Sequence, residues 1–272
     1  MLEKEKKILQ NEYERSLEIV QKSDFHRLFV NEKIIHSHQV LDAANYLLKK
    51  ENTFKNWSFK LLRLARQAAL FHDIGRFYEV ENMYCRPQQP NNHARYGYDL
   101  LRQYPEYNDL RILLPVKHHS SMIEKLYEDH EFVNVEDPQR KFEIEKITFL
   151  VRDADKIANF RLLAHADRNI RRLFLQELKA QPFRSPISEK PMQSFLSRQP
   201  VKRSDIQTTS DRILSLICWI FDLNYASSFV YLQKYGRINH LLHALRKSNT
   251  DMVLQEQIEK NVNDYLMEHN QL

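Results

Sequence analysis

The chain has 272 residues, 42% of them hydrophobic and 28% charged, with a formal net charge of +5. That length supports one large domain or two smaller ones, each able to bury a core. Two cysteines, Cys85 and Cys218, exclude a disulfide framework and a cysteine zinc cluster and point to a reducing cytoplasm, while three glycines exclude a glycine-rich phosphate loop or dinucleotide fold.

Many Leu, Lys, Glu, Arg and Gln with few Gly predict an all-α protein. Residues 1–30 read as a charged helix, with Leu9, Tyr13, Leu17 and Val20 at helical spacing. No apolar run follows Met1–Lys7, so no signal peptide is expected, and no stretch approaches a membrane span. His36–Lys50 is a second helix, and Ser58 caps a third that reaches about His72. Residues 81–92, with Pro87, Pro90 and three Asn, predict a loop. Asn92 caps a helix from His93 to Tyr104. Another is expected from about Asn108 to Glu128, kinked at Pro115. Phe142–Leu178 is the longest periodic stretch. Pro182, Pro186, Pro191 and Pro200 then mark a linker or extended loop. Helices follow near Thr209–Asn224, Ser227–Leu245 and Met252–Met267. The run Ile213, Leu214, Leu216, Ile217, Trp219, Ile220 and Phe221 is apolar nearly all round, which predicts burial on more than one side.

Three of these helices place a polar residue where a Leu is expected. Leu61, Ala65, Ala68 and His72 are spaced by four, three and four, so His72 shares an apolar, inward face, and Asp73 follows it. His36, Val40, Ala43 and Leu47 repeat the spacing and select His36 over His38. Ile147, Val151, Asp155, Ala158 and Leu162 select Asp155 and leave Asp153 for solvent or a surface Arg. Buried carboxylates and imidazoles are costly unless a cation or a partner satisfies them. Any one of them could be a satisfied core residue. Two imidazoles and two carboxylates together favour a metal, and a site without thiolate suits Mn, Fe, Co, Zn or Mg. Ile112, Val116, His119 and Ile123 form a further stripe that selects His119 over His118. His93 opens its own helix. A second metal, held by His93, His118 and His119, or phosphate donation by His93 and His119, is open to these residues.

The order His36, His72-Asp73, Asp155 resembles the HD superfamily of metal-dependent phosphohydrolases. His36-Ser37-His38-Gln39-Val40 is similar to its first motif, Leu70 to Phe77 to its central one and Arg152 to Ile157 to its last. Asn92 to Gly97 and Val116 to His119 are similar to the histidine motifs of subfamilies with fuller metal sites. Leu216 to Asn224 is similar to a segment of bacterial HD proteins. The resemblance covers about residues 30–245. It implies an HD helical bundle over 1–180; the prolines mark a linker over 181–204, and the apolar run from Ile213 to Phe221 predicts a helical extension over 205–272 packed on the bundle.

The implied chemistry is phosphoester hydrolysis of a nucleotide or related small molecule, with His36, His72, Asp73 and Asp155 on a divalent metal. Asp73 is also expected to orient or deprotonate the attacking water, and Arg76 and Lys156 to meet substrate phosphate. HD-type 5′-nucleotidases carry a Glu where this chain has Arg76. Cyclic-di-GMP phosphodiesterases carry Gly-Tyr-Pro after the paired histidines, where this chain has Ser120-Ser121-Met122-Ile123. The ester is therefore not named. The alternative is a nucleotide-binding sensor. A nucleic-acid partner is disfavoured, because neither Arg168-Asn169-Ile170-Arg171-Arg172 nor Lys202-Arg203 forms a basic face with interleaved aromatics. No membrane partner is expected, and self-association is left open.

Overall fold

A computed structural model describes residues 2–88, 91–165, 184–249 and 251–270, with side chains up to residue 161 in the second of these stretches. The described residues are helical with no strand. They divide into two compact units, Met1–Ala158 and Asn159–Leu272.

The first unit contains α1 (Glu3–Ile19), α2 (Asp24–Lys50), α3 (Phe59–Phe71), α4 (Gly75–Cys85), α5 (His93–Arg102), α6 (Leu110–His118), the short α7 (Glu124–Tyr127) and α8 (His130–Val133), and most of α9 (Pro138–His165). The chain breaks at residues 20–23 rather than after residue 30. Ser23 accepts from the His26 amide there and starts α2 twelve residues before His36. Ser58 and Asn92 cap α3 and α5 through the Leu61 and Arg95 amides, as their positions predict. The expected loop over 81–92 starts later, because α4 runs on to Cys85.

α3 packs against α2 and α6, α4 against α5, and α5 against α6. Leu64, Ala65, Ala68, Ala69, Leu70 and Phe71 are all buried, so the end of α3 is enclosed on every side. Each such Leu or Phe contributes about 1.5–3 kcal/mol by leaving water. Pro115 lies inside α6, yet the helix runs through it to His118 and stops there. Its last residue and the turn beyond it are held by a side chain: the Arg152 guanidinium of α9 donates to His118 O (3.2 Å), His119 O (3.3 Å) and Ser121 O. This side-chain cap ends the helix ten residues before the expected Glu128.

The second unit begins within α9 and contains α10 (Glu189–Leu196), α11 (Thr209–Ile217) with a 3₁₀ turn over Cys218–Asp222, α12 (Ala226–Lys234), α13 (Asn239–Ser248) and α14 (Met252–His269). α10 falls in the proline-rich stretch expected to be extended. Pro191 is the third residue of that helix, where no intrahelical N–H is needed, so it does not break it. Gly236, at φ 56°, separates α12 from α13 where the periodicity reads one helix. α11 packs against α10 and α13, and Ile213, Leu214, Leu216, Ile217 and Ile220 are buried. Arg168–Arg172, Leu178 and the side chain of Leu162 lie outside the described residues. Lys202 and Arg203 are exposed.

Candidate metal centre

His36 and Val40, Ala43 and Leu47 of its stripe are buried on α2. His72 caps the end of α3 and Asp73 follows in a tight turn, closed by Ile74 N to Phe71 O (3.0 Å) and Arg76 N to Asp73 O (2.8 Å). Gly75 then opens α4 against α5. A Cβ there would stand 2.0 Å from the His93 carbonyl oxygen and 2.4 Å from the Gly97 nitrogen, so only glycine fits. The same contact seats His93 beside Asp73. α6 ends at His118 and brings His119, and α9 brings Asp155.

These residues converge. His36 Nε2 lies 2.9 Å from Asp155 Oδ1. His72 Nε2 is 3.8 Å from Asp155 Oδ1 and 3.7 Å from Asp73 Oδ2. His119 Nε2 and His93 Nε2 lie 3.4 and 3.3 Å from Asp73 Oδ1, and 3.2 Å from each other. Two overlapping groups, His36–His72–Asp155 and His72–Asp73–His119, each keep their ligand atoms within 4.8 Å of one another. At bond lengths of about 2.0–2.2 Å in a tetrahedral site, two ligand atoms on one ion are about 3.3–3.6 Å apart, so the cluster is close to the right size.

The tautomers give a sharper test of fit. His72 Nδ1 donates to the Ala69 carbonyl (2.9 Å), which leaves its Nε2 as a bare lone pair. That nitrogen is buried without a hydrogen-bond partner and faces two carboxylate oxygens. A lone pair facing two anions is repulsive unless a cation stands between them. His119 is arranged likewise, its Nδ1 donating to the Val116 carbonyl (2.8 Å) and its Nε2 turned to the cluster. Burial pushes His72 down to about 3 and His93 down to about 4, so both imidazoles are neutral, as ligands must be. For Asp73, burial works upward, but Lys33 and Arg76 outweigh it and hold the carboxyl well below the usual range. Asp155 is lowered too: burial opposes, while the His36 bond and nearby His72 prevail. The residues fit a divalent cation.

Around the centre, Arg76 donates to Asp73 Oδ1 (3.2 Å) and Glu79 Oε2 (2.6 Å) at the partly exposed rim. Glu79 falls to about 2: burial raises it, and its bonds to His93 and Arg76 prevail. Lys33 donates to Asp73 Oδ2 (3.0 Å). Neither Lys33 nor Glu79 is singled out by the sequence. Each stands three residues from a site residue, His36 and Arg76, on the same helical face, and that spacing was the available signal.

Other residues are not brought to the cluster. His118 turns to Asp129 (2.6 Å), which Lys117 also grips. Lys156 is buried, its Nζ 3.5 Å from the Arg152 carbonyl. His38 is half-buried and outside both groups. Asp153, expected at the surface, is fully buried. α9 has Arg152, Asp153, Ala154 and Lys156 all enclosed, so its apolar stripe does not divide inside from outside.

Residues 34–160 match the model of a family described as HD domain. No curated protein and no solved structure matches the chain.

Proposed function

The segment 34–160 belongs to the HD-domain superfamily, generally metal-dependent phosphohydrolases, and on that premise we propose that this chain hydrolyses a phosphoester of a small, nucleotide-like molecule at the His36–His72–Asp73–Asp155 cluster. The observation that carries the reading is the His72 Nε2 lone pair, buried, unpartnered and aimed between two carboxylates.

A divalent ion held there supplies Lewis acidity, acidifying a water and drawing charge from phosphoryl oxygens. The protein's own part is orientation and charge. Asp73 and Asp155 would offset the ion's two charges. The Ala69 and Val116 carbonyls fix His72 and His119 with Nε2 inward. Arg76, partly exposed beside Asp73, meets the anionic end of the substrate. Glu79 is ionised and braces both Arg76 and His93. Because Arg76 binds phosphate alike before and during reaction, Arg76→Ala is expected to raise KM about tenfold and leave kcat nearly unchanged.

The test reloads metal-free protein separately with Mn²⁺, Fe²⁺, Co²⁺, Zn²⁺ and Mg²⁺ and screens nucleotides, cyclic dinucleotides and generic phosphoesters. Turnover above an Asp73→Ala background supports the hydrolase. Metal binding and nucleotide binding with no turnover would replace it by a ligand sensor.

A further inference from the structure

Three cations surround the cluster in sequence or in space, and they differ in how they are held. Lys156 is buried against the Arg152 carbonyl. Arg76 is committed twice, to Asp73 and to Glu79. Lys33 is different. Its ammonium bonds to Asp73 Oδ2 at 3.0 Å and lies over the Phe29 ring, 5.5 Å from the centroid. The Lys33 side chain is 16% exposed, against 4% for Asp73, so it stands between the buried carboxylate and solvent. It comes from α2, three residues before His36, which fixes its root beside the centre while its four-carbon stem remains free to swing.

The oxygen that Lys33 holds is also 3.7 Å from the bare His72 Nε2. An ion placed between His72 and Asp73 would therefore compete with Lys33 for that oxygen. Charge points the same way. Asp73, Asp155 and Glu79 place three carboxylates around the centre, and Lys33 and Arg76 bond to two of them. Carboxylates repel a phosphate. A divalent ion would offset them and, by taking Asp73 Oδ2, free an ammonium at the entrance.

Resting on the proposed metal centre, we propose that Lys33 is a transferable counter-ion: its ammonium bonds to Asp73 Oδ2 and, where a divalent ion claims that oxygen, turns to the phosphoryl oxygens of the substrate. Phosphate binding is then conditional on metal, and the substrate class is an ester with an exposed, doubly anionic phosphoryl group, which makes full use of a mobile ammonium.

Lys33→Met keeps the stem and removes the charge, and Lys33→Arg keeps the charge. Mn²⁺ is titrated calorimetrically into the metal-free proteins, and inorganic phosphate into the Mn²⁺-loaded ones, with melting curves to confirm folding. Lys33→Met is expected to bind Mn²⁺ several-fold more tightly, since a competitor is gone, and phosphate about tenfold more weakly. Lys33→Arg should recover most of the phosphate affinity. Metal-free wild type should show no phosphate binding. Mn²⁺ affinity that is unchanged or weaker in Lys33→Met overturns the proposal, as does phosphate binding that ignores the substitution. Failure of wild type itself to bind any of the five divalent ions is a separate result, which removes the metal centre and not only the role of Lys33.

Discussion

Asp73 and Asp211 are both buried carboxylates, one in each unit, and their surroundings have nothing in common. Asp211, near the start of α11, accepts from Ser188 N and Oγ (2.7 Å each) and from the Gln207 and Thr208 amides (3.0 Å each), and Thr208 returns the bond in a capping box. Its neighbours are neutral donors, two from the preceding turn and two from Ser188, that close a helix start and a loop. Asp73 instead meets two cations and three imidazole nitrogens, one of them a lone pair with no donor to answer it. A carboxylate satisfied by amides holds the fold. One that gathers cations and bare nitrogen has capacity left for a ligand.

The largest expected effect tests the ligand side of that contrast. Asp73→Ala and Asp155→Ala should each lose bound metal on dialysis, read by elemental analysis, and slow phosphoester hydrolysis by orders of magnitude. Wild-type metal content in either variant would break the distinction. Asp211→Ala tests the other side. It should lower stability toward urea by about 2–4 kcal/mol, from a lost cap and stranded buried donors, while metal content stays at the wild-type level. Arg152→Met is intermediate, because Arg152 ties the end of α6 to α9 and so His119 to Asp155. A loss of about 1–3 kcal/mol is expected from the unmade charged hydrogen bonds, together with several-fold weaker metal binding by titration. Unaltered metal affinity would show that the α6 end holds its place without the guanidinium.

The smallest effect concerns a third buried carboxylate, Glu5, which accepts from Arg63 (2.9 Å) and Gln67 (2.6 Å). Burial raises its pKa, but these bonds outweigh it and leave it below the ordinary 4.5. The folded value lies under the unfolded one, so its contribution is whole above pH 4.5 and is lost as pH falls below that. Glu5→Gln should lower the melting temperature slightly near neutrality and flatten its fall on the acid side, so that the variant and wild-type profiles converge at low pH.

Much of this was legible in the sequence, for reasons that also mark its limit. Four–three–four spacing turns His36 and His72 inward because α2 and the end of α3 pack their apolar sides against neighbours. Ser58 and Asn92 announce helix starts because a short oxygen side chain answers exposed amides. The same reasoning fails on α9. With polar residues enclosed on several sides, periodicity says nothing about Asp153. It also misses Lys33 and Glu79, which are ordinary charged residues in pattern and acquire meaning only when Asp73 is placed beside them. The end of α6 was hidden for a similar reason: its cap comes from Arg152, more than thirty residues away.

His36 and Asp155 meet across 119 residues of chain. No local segment of an unfolded molecule contains this centre, so an ion that needs both ends binds only the folded form. By mass action such an ion adds about 2.7 kcal/mol to stability at a hundredfold excess over its Kd, whereas each doubling of the loop to be closed costs only about 0.6 kcal/mol. A resident ion therefore acts as a clasp on the chain as well as a reagent. Chelation would then appear twice, as a lost reaction and as a lower melting temperature of the metal-free protein.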